Sequence, residues 1–571
     1  MSRLREFIRN LSPNALLLVL LALWWMLNII VAATVELAND EAYYWFFSWK
    51  LDWGYYDHPP MTPLLIWLGR WIPRELGVRF FAVLLQPIYL FLFWRLIKPK
   101  NPTQRDAWLY FLIAFSIPLL QLYGFLTTPD TPLMMFTALF LCCFTRFCRN
   151  DSWKNMTLLG LSIALLAYSK YHSVLVVALA LAACPRCFRS PKLYISLLIT
   201  LLLYLPHLIW QYEHDWVSFQ YHLVGRNQSF KASYLGHYLL NTALVFNPLF
   251  LYHYILGWRK RNSDNAPMPP VLKSIAIGFL GFFFLSCFRG PTQPQWIIPV
   301  VFSALWLLFN LGRDNEKAYR FIRSVGLVSM ALFLVGRLLL ITNPFHFKGQ
   351  VWNNEDCIHQ IEEVAQGRPV IFINDYTAAA KYYFYSSRGD AFTQPLLYNR
   401  TSQWAYTDID DSFVGKEVIV QRLPRMECKE DKPEDPFLKL ANGTTFRYRV
   451  IEDFHPYRKV KVTCLDSGRI MGDSISFSLR IENPYPYPIC SAENRPVWLQ
   501  LFLKQSPTSY RTTDHIISDP LPSNSITERT ILFPTPENLA PDDYPAQIAL
   551  RDSLMLPWRN SQIMNFHVSA M

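Results

Sequence analysis

Between Asp40 and Pro60 the chain reads DEAYYWFFSWKLDWGYYDHPP, directly after its first membrane-length apolar run. Four carboxylates (Asp40, Glu41, Asp52, Asp57), the imidazole of His58 and a crowd of aromatic rings fall within 21 residues. Carboxylates are costly beside hydrocarbon, so a cluster of them at a bilayer surface reads as a functional site. A belt of interfacial aromatics accounts for Tyr43, Tyr44, Trp45 and Trp53. It does not account for the Asp40-Glu41 pair or for Asp57-His58-Pro59-Pro60. A carboxylate where the first span ends can take a proton from an acceptor hydroxyl or amine, which makes Asp40 and Glu41 candidate bases. Tyr55, Tyr56, Asp57 and His58 can orient a sugar by stacking and hydrogen bonding. Asp57 and His58 can also serve a metal, given a third ligand from elsewhere, because adjacent residues rarely bind one ion with good geometry.

Further along, Thr127-Thr128-Pro129-Asp130 sits in a tight loop between two apolar runs. Asp130 either lines the same compartment as Asp40 or caps the helix expected from Pro132. Ser169-Lys170-Tyr171-His172 breaks an apolar stretch, and Lys170 there can neutralise a phosphate or snorkel to the interface. His222 and Arg226 are four residues apart, on the face shared by Phe219 and Leu223, so both can reach one phosphate. Arg337 lies deep in the last apolar run and needs an anionic partner, from protein or lipid. The sequence contains no phosphate-binding loop, dinucleotide fingerprint or kinase signature. Chemistry outside the cytoplasm without nucleotide requires an activated substrate carried in the membrane, and a polyprenyl-phosphate sugar meets that need.

The elements that must position these groups follow from composition. Of the 571 residues, 52% are hydrophobic and only 17% charged, against about 25% charged in soluble domains. The chain reads as a polytopic α-helical membrane protein with an appended soluble part. Apolar runs at 14–33, 77–93, 107–124, 132–147, 156–168, 173–183, 194–210, 237–258, 274–288, 296–311 and 325–341 predict about eleven spans. The net charge of +11 comes from short basic loops at 95–105, 146–154, 186–192, 259–273 and 313–323. That is the positive-inside pattern, and it removes the nucleic-acid reading. The facing loops at 40–74, 125–131, 211–236 and 289–295, and everything after residue 341, then lie outside. Two interfacial helices, at 42–51 and 61–71, are expected to roof a cavity at the outer leaflet.

The soluble part mixes strand and helix to about residue 440. GRPVIFIN predicts a strand, and DYTAAAKYYFY a helix capped by Asp375. Beyond it, FRYRVIEDF, ISFSLRI, VWLQLFLK and AQIALRD alternate as an antiparallel β-sandwich. The expected units are therefore residues 1–342, 343–440 and 441–571. Cys184 and Cys187 form a CxxC without a second pair or histidines, which argues against zinc or redox chemistry. Cys357, Cys428, Cys464 and Cys490 allow one or two disulfides.

At these residues the chain resembles the GT-C superfamily. Its closest likeness is to the bacterial branch of the protein O-mannosyltransferase family (glycosyltransferase family 39), which includes aminoarabinose transferases acting on lipid A. Four features carry the likeness. They are Asp40-Glu41 followed by Tyr-Tyr-Asp57-His58-Pro-Pro; Thr-Pro-Asp130; the Ser-Lys170-Tyr break; and Pro294-Gln295-Trp296 before a span. The resemblance implies an inverting transferase that moves a monosaccharide from a polyprenyl-phosphate carrier to a lipid or protein acceptor. It implies Asp40 as base, Asp130 as a second acid lining the cavity, and a bacterial inner membrane with a periplasmic site. Asp57 matches the acidic residue that helps to hold a metal in aminoarabinose transferases. Those enzymes carry Glu-Lys-Pro-Pro where this chain has Asp-His-Pro-Pro, so a divalent metal cofactor remains open. The rival reading is a transporter or flippase for lipid-linked sugars, which needs no base and tends to show inverted repeats; the sequence shows none.

Overall fold

The computed structural model describes residues 6, 9–260, 268–397, 399–422, 435–493, 495–506, 509–536 and 539–568. The chain divides into two compact units, Met1–Glu355 and Asp356–Met571.

The first unit is helical and contains the spans of an integral membrane protein. Among the described residues, six helices are long and apolar enough to cross a bilayer: Pro13–Thr34, Arg74–Ile97, Asp130–Arg149, Pro191–Glu213, Met268–Ser286 and Glu316–Thr342. A bent pair, Ala232–Val245 with Pro248–Arg259, makes a seventh. The other four expected spans are shorter helices. The run at 107–124 breaks into Gln104–Ser116 and Pro118–Leu122. Proline cannot donate the helical hydrogen bond and forces the preceding residue out of the α region, and Ile117 is extended. Pro248 acts similarly in the bent pair, where Asn247 takes a left-handed φ of 67° and accepts from Leu249 N–H; the two arms meet at 86°. Trp153–Ala167, Ser173–Ala182 and Val300–Asp314 complete the set.

One contiguous core runs through the bundle, from Leu16 and Trp24 through Phe93, Tyr110, Phe140 and Phe302 to Ile322. Leu198, Leu201, Leu202, Leu205 and Ile209 on Pro191–Glu213 stay exposed, the lipid face expected where hydrocarbon is the solvent.

Hydrogen bonds sort the loops as their charges predict. The basic stretches meet one another. Trp94 donates to Asn14 Oδ1 at 3.0 Å, Gln104 to the Leu11 carbonyl at 2.7 Å and Ser190 to Asp151 at 2.6 Å, and Arg105 pairs with Glu316. The acidic and aromatic loops meet at the other end, through bonds such as Ser218 Oγ to the Tyr55 carbonyl at 2.8 Å.

The second unit opens with a five-stranded sheet in the order β2-β1-β3-β5-β4. Its strands are β1 Val370–Ile373, β2 Ala391–Gln394, β3 Val418–Arg422, β4 Phe437–Lys439 and β5 Thr445–Ile451. β1 lies parallel to β2 and β3. Helix Tyr376–Tyr385 crosses from β1 to β2 and is capped by Asp375, whose carboxylate accepts from Ala378 N–H at 2.9 Å. The FRYRVIEDF strand belongs to this sheet, since β5 pairs antiparallel with β3. The α/β sheet thus runs past residue 440.

The sandwich follows. One sheet is β10-β9-β12-β13 with β14 beside β12; the other is β11-β8-β6 with β7 beside β8. These strands are β6 Lys461–Cys464, β7 Arg469–Met471, β8 Ser474–Asn483, β9 Val497–Ser506, β10 Ser509–Ile516, β11 Ser525–Pro534, β12 Asp542–Asp552, β13 Trp558–Arg559 and β14 Met564–Val568. β8 alternates buried and less buried residues, as a strand with one face on a core does. Its Phe477 packs on Phe566 of β14 across the two sheets, ring centres 5.6 Å apart. Cys464 and Cys490 are free thiols; Cys428 lies outside the described residues.

Candidate active site

Glu41 anchors the end of the first span. It is 1% exposed and faces Arg79, which is fully buried. Arg79 donates from Nε to Glu41 Oε1 at 2.8 Å and from Nη2 to Oε2 at 2.5 Å. It also donates to the carbonyls of Ala32, Val35 and Glu36. Glu41 accepts further from Thr127 N–H at 2.9 Å and Ala38 N–H at 3.0 Å. Both carboxylate oxygens are therefore engaged, and the pair ties the end of the first span to helix Arg74–Ile97 and to the Thr127 loop. The residue expected from sequence as a candidate base is thus the partner of a buried arginine. Arg79 was passed over inside a predicted span, although an ionisable residue there is a signal in itself.

Asp40 differs from its neighbour. It sits in the first turn of helix Asn39–Phe47 and is exposed. The helix dipole stabilises its negative charge there. Asp130 is buried, 2% exposed, in the first turn of helix Asp130–Arg149. The helix starts at Asp130 rather than at Pro132, with Pro129 as the capping position, so Asp130 is not the cap. It pairs with Lys170 at 2.7 Å. Asp40 and Asp130 both act electrostatically on Tyr123, which places them at the same end of the bundle.

Lys170 leads to a group of imidazoles and cations. His58 interacts with His222, Lys170, Arg226 and His172. Burial, reinforced by those cationic neighbours, pushes the His58 imidazole well below its ordinary range, so it is neutral at neutral pH. His222 donates from Nε2 to the Asp57 carbonyl at 2.8 Å. Its ring lies 6.0 Å from that of His58 and 5.4 Å from that of Tyr171. Arg226 lies over Trp296, 4.6 Å from the ring centre, a cation–π contact.

His222 and Arg226 belong to the lining of a cavity of about 740 Å³, at its polar end. Tyr171, His172, His222, Arg226 and Trp296 line that end, and Leu175, Val177, Leu197 and Phe283 line the rest. Phe219 and Leu223 line it too, as their shared helical face predicts. Asp40, His58, Asp130 and Lys170 are not in its wall; they stand behind the polar end, linked through Tyr123 and the Lys170–His58 and Lys170–His172 interactions.

The Tyr55–Pro60 loop is held rigidly. Tyr55 is buried and packed. It stacks on Phe47 at 4.7 Å, donates to the Lys50 carbonyl and accepts from Asp52 N–H, both at 3.1 Å. Tyr56 packs against Tyr221 at 5.2 Å. His207 bonds the Trp53 carbonyl through Nδ1 at 2.6 Å, so its Nε2 accepts from Tyr171 at 3.2 Å. Gln211 donates to Tyr171 at 3.0 Å and to Ser218 at 2.7 Å. Gly54 is required by closeness: a Cβ there would stand 2.3 Å from Trp210 Cε3. Gly54→Ala should displace Trp210 and cost about 1–3 kcal/mol by overpacking. A melting series in detergent reads this as a lowered transition.

Two other expectations change. Arg337 is buried and donates from Nη2 to the neutral amide oxygen Oε1 of Gln121 at 3.0 Å. The metal reading of Asp57 does not gain ligands. Among the described residues, the one place where three His, Cys, Asp or Glu ligand atoms converge is Cys148, Cys184 and Cys187. The groups around His58 are cations and imidazoles, which suit an anion rather than a divalent cation.

The crystal structure of ArnT from Cupriavidus metallidurans in the apo state superposes with a TM-score of 0.56 over 76% of this chain and 97% of ArnT, at 13% identity. The form bound to undecaprenyl phosphate gives 0.55 over the same shares. The fold is that of the GT-C membrane glycosyltransferases. Residues 57–210 match the family described as dolichyl-phosphate-mannose-protein mannosyltransferase. Lipid A galacturonosyltransferase RgtD of Rhizobium johnstonii is 26% identical over 217 residues, 36% of this chain and 45% of that protein. The chain thus spans less than half the length of this curated relative.

Proposed function

We propose that the protein transfers a monosaccharide from a polyprenyl-phosphate carrier to a hydroxyl of an outer-face glycolipid of the lipid A type, with inversion at the anomeric carbon. One observation carries this reading: an exposed carboxylate at residue 40, a buried Asp130–Lys170 pair and the His222–Arg226 pair gather at one end, where a largely apolar cavity begins. The cavity's apolar part suits a prenyl chain, and its cationic mouth suits a phosphate.

In this mechanism the acceptor oxygen attacks the anomeric carbon while Asp40 removes its proton. The bond from that carbon to the phosphate oxygen breaks, and the lipid phosphate leaves with the electron pair. Lys170, His222 and Arg226 stabilise the charge that develops on it. Asp130 holds Lys170 in place. The leaving phosphate needs no acid, so one carboxylate suffices, unlike the glycosidase pair. No step runs through a metal. The resemblance to ArnT and to RgtD supports the lipid carrier and the glycolipid acceptor, and the mannosyltransferase match keeps a protein acceptor as the second reading. The positive-inside arrangement supports a site on the outer face of the membrane, and the resemblance to ArnT and RgtD supports a bacterial inner membrane.

The test is transfer of labelled sugar from synthetic polyprenyl-phosphate sugar to lipid A by purified protein. A transporter would move the donor across vesicles and transfer nothing. Arg226→Ala and His222→Ala should each weaken donor binding by about ten-fold or more, from loss of a hydrogen bond to a charged group worth about 1.5–3 kcal/mol. Equilibrium binding of the polyprenyl phosphate alone measures this, and unchanged affinity in both variants would place the phosphate elsewhere.

A further inference from the structure

At the basic end of the bundle, at the opposite end of helix Asp130–Arg149 from Asp130, three cysteines converge. Cys148 lies in the last turns of helix Asp130–Arg149, and Cys184 and Cys187 lie in the connection that includes the 3₁₀ helix Pro185–Arg189. The Cys148 sulfur is 3.2 Å from that of Cys187 and 3.9 Å from that of Cys184. All three ligand atoms fall within 4.8 Å of one another. None is in a disulfide. We propose that Cys148, Cys184 and Cys187 bind a thiophilic divalent cation of the zinc class.

The geometry fits that chemistry. Zinc–thiolate bonds of about 2.3 Å in a tetrahedral site put neighbouring sulfurs about 3.8 Å apart; the two shorter separations here bracket that value. The pairs need shifts of tenths of an ångström, within reach of side-chain rotation. The CxxC supplies two ligands on one turn, whose shape is held by the Cys187 N–H bond to the Cys184 carbonyl at 3.0 Å. Cys148 supplies the third from 36 residues upstream. Arg146, Arg149, Arg186 and Arg189 flank the group and favour the thiolates that metal binding requires. The positive-inside rule puts this end in the cytoplasm, where thiols stay reduced. On binding, three S–H bonds lose their protons to solvent as three metal–sulfur bonds form, and water takes the fourth position. The ion would clip the end of helix Asp130–Arg149 to the following hairpin. That helix carries Asp130 at its opposite end.

The test uses the full-length protein in detergent, reduced with a phosphine, loaded with Zn(II) and desalted. Elemental analysis should find about one zinc per chain, and Cys148→Ser or Cys187→Ser should lower retention about ten-fold or more by removing a ligand. Cys142→Ser, on the same helix but away from the cluster, should retain the metal. Replacing zinc by Cd(II) in the unmutated protein should give an ultraviolet thiolate-to-cadmium band with the intensity of three thiolates, a readout independent of whether the variants fold. No retained metal, equal retention in the Cys148 and Cys187 variants, or a Cys148–Cys187 disulfide in protein alkylated at harvest would each overturn the proposal.

Discussion

Asp40→Asn should lower the rate of sugar transfer by about 10²- to 10⁴-fold, the span associated with loss of a positioned general base. The amide keeps the size and much of the hydrogen bonding of the carboxylate but cannot accept the acceptor's proton. Asp40 is exposed at the start of a helix, so the fold should tolerate the change, and binding of polyprenyl phosphate should stay near its original strength. The loss should fall in kcat rather than in donor affinity. Glu41 cannot take over, because its two oxygens are held by Arg79, Thr127 and Ala38. Asp130 cannot do so either while it is paired to Lys170 at 2.7 Å. Single-turnover assays with saturating donor would read the effect. An Asp40→Asn enzyme with unchanged turnover would remove this residue from the chemistry altogether.

Arg79→Met should destabilise the helical unit by about 3–5 kcal/mol, the range for removing one partner of a buried ion pair. Arg79 is fully buried, and its guanidinium serves Glu41 and three backbone carbonyls at the end of the first span. Methionine fills similar volume but leaves Glu41 charged in a dry site. Replacing both partners, as Arg79→Met with Glu41→Leu, should recover much of the loss, since an apolar pair of similar volume often stabilises as well as the ions did. Thermal unfolding in detergent checks both variants. If the double substitution were as damaging as the single one, the carbonyl contacts rather than the ion pair would hold this corner together. Activity should fall in both cases, because the same ion pair sets where Asp40 and the Thr127 loop stand.

The contrast between these adjacent acids shows how far side-chain type reaches. Asp40-Glu41 was legible as a pair of candidate bases, but nothing in the order of residues says which one meets Arg79. That choice depends on the rotation of helix Asn39–Phe47 against helix Arg74–Ile97, 38 residues away in the chain. Arg337 is a similar case: burial of its charge was evident, yet its contact with Gln121 depends on how two helices pack. Tyr55 looked like a sugar platform and became the stacking partner of Phe47. The shorter helices are a related lesson. Apolar length in sequence counts residues, whereas Pro118 and Pro248 decide where hydrogen bonding stops and a helix must bend.

Local chemistry and solvent preference were settled by the residues in order. The apolar runs, their basic flanks, the Asp375 cap and the sandwich strands depend on interactions within a few positions, or on partition between water and hydrocarbon, and both act on composition. The convergence of Asp130 with Lys170, of His58 with His222 and of Cys148 with Cys184 and Cys187 was settled only by tertiary packing. A CxxC without further ligands argued against a metal until a third thiol arrived from another helix. Such contacts join residues tens of positions apart, and their distances follow from how helices dock, which no short stretch of chain contains.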